Sequence, residues 1–131
     1  MAERGDIIIG EGVIRFGLEY RDLLSGQGVC IHALGDVDGE EVELLRFDCF
    51  EVAPHYHYGP RAKNQRLYLD TTAVPDPLEW ALDLLRYGKL GPMLERAGYA
   101  DYAARLNPIT IAESVAEVTR VSKGMERENA R

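Results

Sequence analysis

The sequence predicts an α+β fold: an antiparallel meander of about four to five strands packed against about three C-terminal helices. Three observations carry this. Across residues 13–20, Ile14, Phe16, Leu18 and Tyr20 alternate with Arg15, Gly17 and Glu19, the period-two pattern of a strand with one wet face. Asp38-Gly39, the commonest kind of short hairpin turn, separates two further apolar runs. After Asp70 the period lengthens, and Asp76-Pro77-Leu78-Glu79 supplies an N-cap, a proline at the first helical position and an acid at the third.

Taken in order, Asp6-Ile7-Ile8-Ile9 adds an edge strand ahead of the alternating run. Ser25-Gly26-Gln27-Gly28 reads as a turn before a strand over residues 29–34, whose hairpin partner spans 41–52. A two-residue turn at Asp38-Gly39 sets a register in which Ala33 faces Leu44, Ile31 faces Arg46, His32 faces Leu45 and Cys30 faces Phe47. Both faces of that hairpin then carry apolar side chains. This predicts a central pair covered on both sides, by helices on one and by a second subunit on the other, so a homodimer is expected. Residues 66–70 read as a further strand.

The first helix should run over 77–87, with Leu78, Ala81, Leu82 and Leu85 on one apolar face and Trp80, Leu84 and Tyr87 on another. A short helix over 92–97 stops at Gly98, and 101–106 adds a turn or two. Asn107-Pro108 repeats the cap-plus-proline start for a last helix. There Ile111, Ala112, Val115, Val118 and Val121 form the buried stripe and Gly124 the stop. Residues 1–122 are expected to form one domain, with 123–131 a disordered tail.

Composition narrows the function classes. With 131 residues and a formal net charge of −7, the charge balance argues against a phosphate-backbone binder, because nucleic-acid affinity comes largely from Lys and Arg displacing counterions. Arg61, Lys63 and Arg66 nevertheless form a local basic cluster suited to a small anion or a short stretch of RNA. Cys30 and Cys49 lack Cys-x-x-Cys spacing and read as small core hydrophobes. The opening residues lack an apolar signal core, and no run approaches the roughly 18 apolar residues of a membrane helix. The expected location is the cytoplasm, with no membrane partner.

The chemistry concentrates in one segment. Arg46-Phe47-Asp48-Cys49-Phe50-Glu51-Val52-Ala53-Pro54-His55-Tyr56-His57-Tyr58-Gly59-Pro60 holds two of the chain's three histidines, with acids, a base and two tyrosines. Arg46 and Asp48 share a strand face, either as a structural ion pair, with Asp70 a further partner for Arg46, or as an anion holder beside a base. His55 and His57 share a face too, and two imidazoles at that spacing can grip one transition metal if Asp48, His32 or Asp70 adds a third ligand. His32 reads as a core histidine. Tyr56, Tyr58 and Tyr68 offer a quieter alternative, a packed and hydrogen-bonded strand end. The expected ligand surface comprises Arg46, Asp48, His55, His57, Arg66, Tyr68 and Asp70, with His55, His57, Asp48 and Arg46 the catalytic candidates. There is no nucleophile elbow, Walker loop or dinucleotide fingerprint. Metal-free RNA cleavage would suit the set, since it needs one proton acceptor, one donor and a cation near the phosphate.

The words Leu45-Arg46-Phe47-Asp48-Cys49-Phe50, Pro54-His55-Tyr56-His57-Tyr58-Gly59-Pro60 and Asp76-Pro77-Leu78-Glu79-Trp80 resemble those of a small bacterial family of uncharacterised proteins. The resemblance covers residues 28–100 and implies a compact bacterial domain without assigning an activity. More faintly, an Arg-aromatic-Asp strand followed by His-x-His resembles the toxin components of bacterial toxin-antitoxin pairs, which implies RNA cleavage by Arg46, Asp48, His55 and His57. The acidic balance and the long helical C-terminal half depart from such short basic chains. The expectation drawn from the residues is a dimeric domain that binds a protein or small-molecule ligand. The alternative is a metal-binding or RNA-cleaving enzyme that uses His55 and His57.

Overall fold

A computed structural model describes residues 7–24 and 26–130. Six antiparallel strands follow one another across a single sheet in chain order: β1 (Ile7–Ile9), β2 (Arg15–Leu23), β3 (Gly26–Val37), β4 (Glu40–Phe50), β5 (His55–Tyr58) and β6 (Arg66–Tyr68). The helices follow as α1 (Pro77–Arg86), α2 (Leu90–Arg96), α3 (Ala100–Ala103) and α4 (Pro108–Asn129). The α+β class and the meander are as the sequence predicts, with one strand and one helix beyond the expected numbers. His55-Tyr56-His57-Tyr58 is the added strand. Asp6 and Ser25, to which parts of the expected edge strand and turn were assigned, lie outside the described residues.

The alternation of β2 sends Phe16 and Leu18 to the face that meets the helices, where they join Val29, Ile31 and Ala33 of β3 and Leu45, Phe47 and Cys49 of β4. Leu78, Ala81, Leu82 and Leu85 of α1 and Val115 and Val118 of α4 close this core from the other side. Helix α1 lies against β4, and α4 against β1, β2 and β3. Trp80 stands edge-on to Phe47 and tilted over Tyr56, with ring centroids 6.3 Å and 5.6 Å away.

The β3–β4 register differs from the expected one at a single point. From the turn outwards, Val37 pairs with Glu40 and Leu34 with Glu43, as a two-residue turn at Asp38-Gly39 requires. Between Leu34 and Ala33 the register shifts by one, so that Leu44 is left over as a β-bulge. Beyond it Ala33 pairs with Leu45, His32 with Arg46, Ile31 with Phe47 and Cys30 with Asp48. A one-residue slip reverses which partner lies on which face, so the expected pairs of His32 with Leu45 and Cys30 with Phe47 are replaced by polar pairs. The argument for a second subunit rested on apolar residues on both faces. With the bulge in place that face carries His32, Glu43, Arg46 and Asp48 between Leu34 and Phe50, so a run of apolar side chains no longer makes the case. Gly59 locks the bulge: its N–H donates to the Leu44 carbonyl at 3.0 Å, and a Cβ there would lie 2.3 Å from the Glu43 carbonyl oxygen.

Both long helices are capped as predicted. Asp76 accepts from the Glu79 N–H at 3.1 Å, and the Asn107 side chain accepts from the N–H groups of Ile109 and Thr110. Asp76→Ala is expected to lower stability by about 1 kcal/mol, read as a shift in the urea midpoint at constant slope. Helix α4 overruns its predicted stop. Gly124 is not among the glycines with positive φ, and the helix runs on through the expected disordered tail to Asn129. The overrun is tied down where Lys123 bonds to Glu79 of α1, Ser122 is fully buried and Met125 packs on the core.

Candidate functional site

The face of the sheet opposite the core is laid out in two cross-strand rows. One runs Glu19, Cys30, Asp48, His55 and Tyr68 from β2 to β6, each residue directly opposite the next. The second runs Gly17, His32, Arg46, His57 and Arg66 across the same strands. Directly opposed residues share a face, as do residues two apart on one strand, so the side chains of both rows project to one side. All three histidines of the chain are among them.

His32, 3% exposed, lies between two acids. Its Nε2 is 2.6 Å from Glu19 Oε2, and its Nδ1 meets Glu43 Oε1. A neutral imidazole has one N–H and one lone pair, so it can donate to only one of the two carboxylates. Glu43 pairs with Leu34 on the turn side of the bulge and so lies on the face of His32 in either register; the bulge brings Arg46 and Asp48 to that same face. Its other oxygen approaches Arg46 at 3.4 Å and His57 Nδ1 at 3.5 Å.

Asp48 is 3% exposed and gathers Arg46 Nε at 3.1 Å, His55 Nε2 at 2.6 Å and the Cys30 thiol. Burial alone would raise its carboxyl. The hydrogen bonds from His55 and Cys30 and the charge of Arg46 outweigh it and hold the group down at about 2. The same His55–Asp48 bond raises His55 above the ordinary histidine value against the pull of burial, and His55 Nδ1 donates to the Ala53 carbonyl at 3.1 Å. His55 is thus a cation held by an anion. His57, one residue further along the same face, is shifted the other way. Burial lowers it first, Arg46 and Arg66 add to the shift, and Glu43 opposes it. His57 Nδ1 and Arg46 Nε are the buried side-chain atoms without a hydrogen-bond partner among the described residues. Cys30 is fully buried, and burial together with Asp48 pushes its thiol well up, so it is no nucleophile.

Of the residues that the sequence singles out, Arg46, Asp48, His55, His57, Arg66 and Tyr68 converge on this face. Tyr68 is 61% exposed, with its ring centroid 5.0 Å from that of His55. Asp70 stands apart: it accepts from the Thr72 N–H in a local turn, and Arg46 is paired with Asp48 and Glu43 instead. The expected basic cluster is divided. Arg61 stacks on Tyr99 at 4.4 Å and bonds to the Gly98 carbonyl and to Asp101, which leaves Arg66 as the arginine of the three in the rows. Tyr56 and Tyr58 alternate to the core side and pack there, whereas Tyr68, which the quieter reading grouped with them, is exposed on the opposite face.

The chain matches a domain of unknown function, DUF7700, over residues 8–122. It belongs to this family. No curated protein and no solved structure matches the chain. The DUF7700 match spans both rows completely, from Gly17 to Tyr68, and ends inside α4 at Ser122, before the last turns of that helix.

The sequence reading missed the inner half of the DUF7700 face. Glu19 was visible as a polar residue in the alternating strand, yet nothing along the chain linked it to His32. Glu43 was on the face of His32 even in the expected register, opposite Leu34, yet nothing along the chain marked it as a partner of the ring. As for metal binding, His55 has both ring nitrogens engaged, one by Asp48 and one by Ala53, so it does not join His57 in offering free nitrogens to one ion. A different set comes together: Glu19, Cys30 and His32 each bring one ligand atom within 4.8 Å of the others.

Proposed function

We propose that the outer half of this face is an acid–base site for a phosphate-bearing substrate, with His57 as proton acceptor, His55 as proton donor and Arg46 and Arg66 as the cations that hold the anion. The observation that carries the reading is the contrast between two histidines on one face: His55 is bonded through both ring nitrogens to Asp48 and Ala53, whereas His57 sits between Arg46 and Arg66 with Glu43 3.5 Å from Nδ1. Environments that push two titratable groups apart separate the acid from the base at one pH. Arg46 and Arg66 occupy the same row as His57, one strand away on either side, which suits contact with phosphate oxygens beside the base. The exposed Tyr68 ring next to the acid offers a base a surface to stack on, which favours a single-stranded substrate. RNA suits it further, because its own 2′-hydroxyl supplies the nucleophile. His57 would take the proton of that hydroxyl as it attacks phosphorus, and His55 would give the Nδ1 proton, released from its exposed bond to the Ala53 carbonyl, to the departing 5′-oxygen while Asp48 keeps Nε2.

A second reading follows from the same cations: a face that binds a phosphate-bearing ligand without turning it over. The two separate in one experiment. A short single-stranded RNA, a chromogenic phosphodiester and inorganic phosphate are presented to the wild type, His55→Gln and His57→Gln. Cleavage that falls at least ~100-fold in each variant, with unfolding midpoints above the assay temperature, supports catalysis. Phosphate-dependent stabilisation without cleavage supports the binding reading. Neither response would refute both.

The protonation states set the pH dependence. His57 must be neutral, so activity rises as pH climbs through its lowered pKa. His55 must be charged, so activity falls above its raised pKa. A bell spanning the ordinary histidine value of 6.5 is expected in the rate profile.

A further inference from the structure

The inner half of the face carries a separate assignment. We infer that Glu19, Cys30 and His32 form a binding site for a soft divalent cation of the zinc class, with Glu43 orienting the histidine. This does not rest on the acid–base reading, which uses other residues.

The donor set is one sulfur, one imidazole nitrogen and one carboxylate oxygen, a combination that selects zinc over magnesium or calcium, and binding requires the metal to displace the thiol proton that Cys30 now shares with Asp48. Tetrahedral zinc at its usual bond lengths holds its ligand atoms roughly 3.3–3.8 Å apart. Here the three atoms already lie within 4.8 Å of one another, so rotation of side chains closes the remainder without movement of the strands. The backbone fixes them firmly: Glu19 and Cys30 are a direct cross-strand pair, and His32 is two residues from Cys30 on the same face of β3.

Two further features fit a metal better than a fortuitous cluster. His32 Nδ1 is held by the Glu43 carboxylate, the arrangement that fixes a metal-bound imidazole by its other nitrogen and leaves Nε2 as the donor. That Nε2 faces the carboxylate of Glu19, an acceptor against an acceptor unless a positive charge stands between them. A proton can fill that position in one way, and a cation that also draws in Cys30 can fill it in another. Entry is open from the side of Glu19, whose side chain is 22% exposed while those of His32 and Cys30 are buried.

The test uses untagged protein stripped with chelator and titrated with Co2+ and Zn2+. The expected result is saturation near one equivalent, with a thiolate-to-cobalt charge-transfer band in the near ultraviolet that zinc displaces. Cys30→Ser should abolish the band, and Glu19→Gln, at a partly exposed position, should weaken affinity while the fold survives. Glu43→Gln should weaken it about 10- to 100-fold and leave the band position unchanged. His55→Gln/His57→Gln should bind as the wild type does. Three results overturn the assignment: no saturable binding, undiminished binding in both Cys30→Ser and Glu19→Gln, or binding lost in the His55→Gln/His57→Gln protein instead.

Discussion

Asp48→Ala is expected to cost about 3–5 kcal/mol of folding stability, the largest effect of any single substitution on the polar face. Asp48 is 3% exposed and is the shared partner of Arg46, His55 and Cys30. Its removal leaves the His55 imidazolium without its carboxylate and the Arg46 guanidinium with only Glu43, at 3.4 Å, to balance it, which is far more costly than the loss of a surface ion pair. The measurement is a urea titration of wild type and variant at neutral pH.

The pH dependence gives an independent check. A carboxyl held down at about 2 in the folded protein, against an ordinary value of 3.8, contributes about 2 kcal/mol above the higher value and loses it as pH falls between the two. His55, raised in the folded protein, contributes stability below its ordinary 6.5 that is lost as pH rises through its folded value. Together the pair stabilises the fold most between about pH 4 and 6.5, and Asp48→Ala should flatten both limbs of the stability curve. A variant with the wild-type curve would show that the pair contributes nothing.

His57→Gln is expected to reduce phosphodiester cleavage by ~10²- to 10⁴-fold, the range of a lost general base, with little change in substrate binding. Gln keeps the approximate size and hydrogen-bonding capacity of the ring but cannot accept a proton near pH 7. His57 is buried with Nδ1 lacking a hydrogen-bond partner, so the neutral amide should be accommodated within about 1 kcal/mol. Arg66→Ala, at an exposed position in the same row, should act mainly on KM because it removes a contact to substrate and leaves the proton donor and acceptor in place. Steady-state kinetics over a pH series resolves these cases. Equal loss of kcat in both variants would contradict the separation of roles.

Much of this was legible in the sequence, and the exceptions have physical causes. The strand at 13–20, the Asp38-Gly39 turn and the Asp76-Pro77 and Asn107-Pro108 helix starts were local signals, each set by a few adjacent residues. They appear where expected. The period of two put Arg46 with Asp48 and His55 with His57 on shared faces, but that the two pairs meet was not legible, because Pro54 left the path between the strands open; the β4–β5 pairing brings them together. The bulge at Leu44 was not, because a one-residue slip leaves no mark on composition or alternation and shows only in what each residue pairs with. One clue was present: the unbulged register sets Cys30 against Phe47 and Ile31 against Arg46, apolar against polar, whereas a slip by one pairs Ile31 with Phe47 and Cys30 with Asp48. The continuation of α4 past Gly124 had no local signal either, since Lys123 is held by Glu79, a residue 44 positions earlier.

The central claim is that two neighbouring histidines are held in opposite protonation states, and a proton NMR titration of the three imidazoles tests it directly. The chain has only three histidines, so His55→Gln and His57→Gln spectra assign the resonances. His57 should titrate below 6.5 and His55 above it, with His55 falling back toward or below 6.5 in Asp48→Ala. Coincident midpoints for His55 and His57, or the reverse order, would contradict the account.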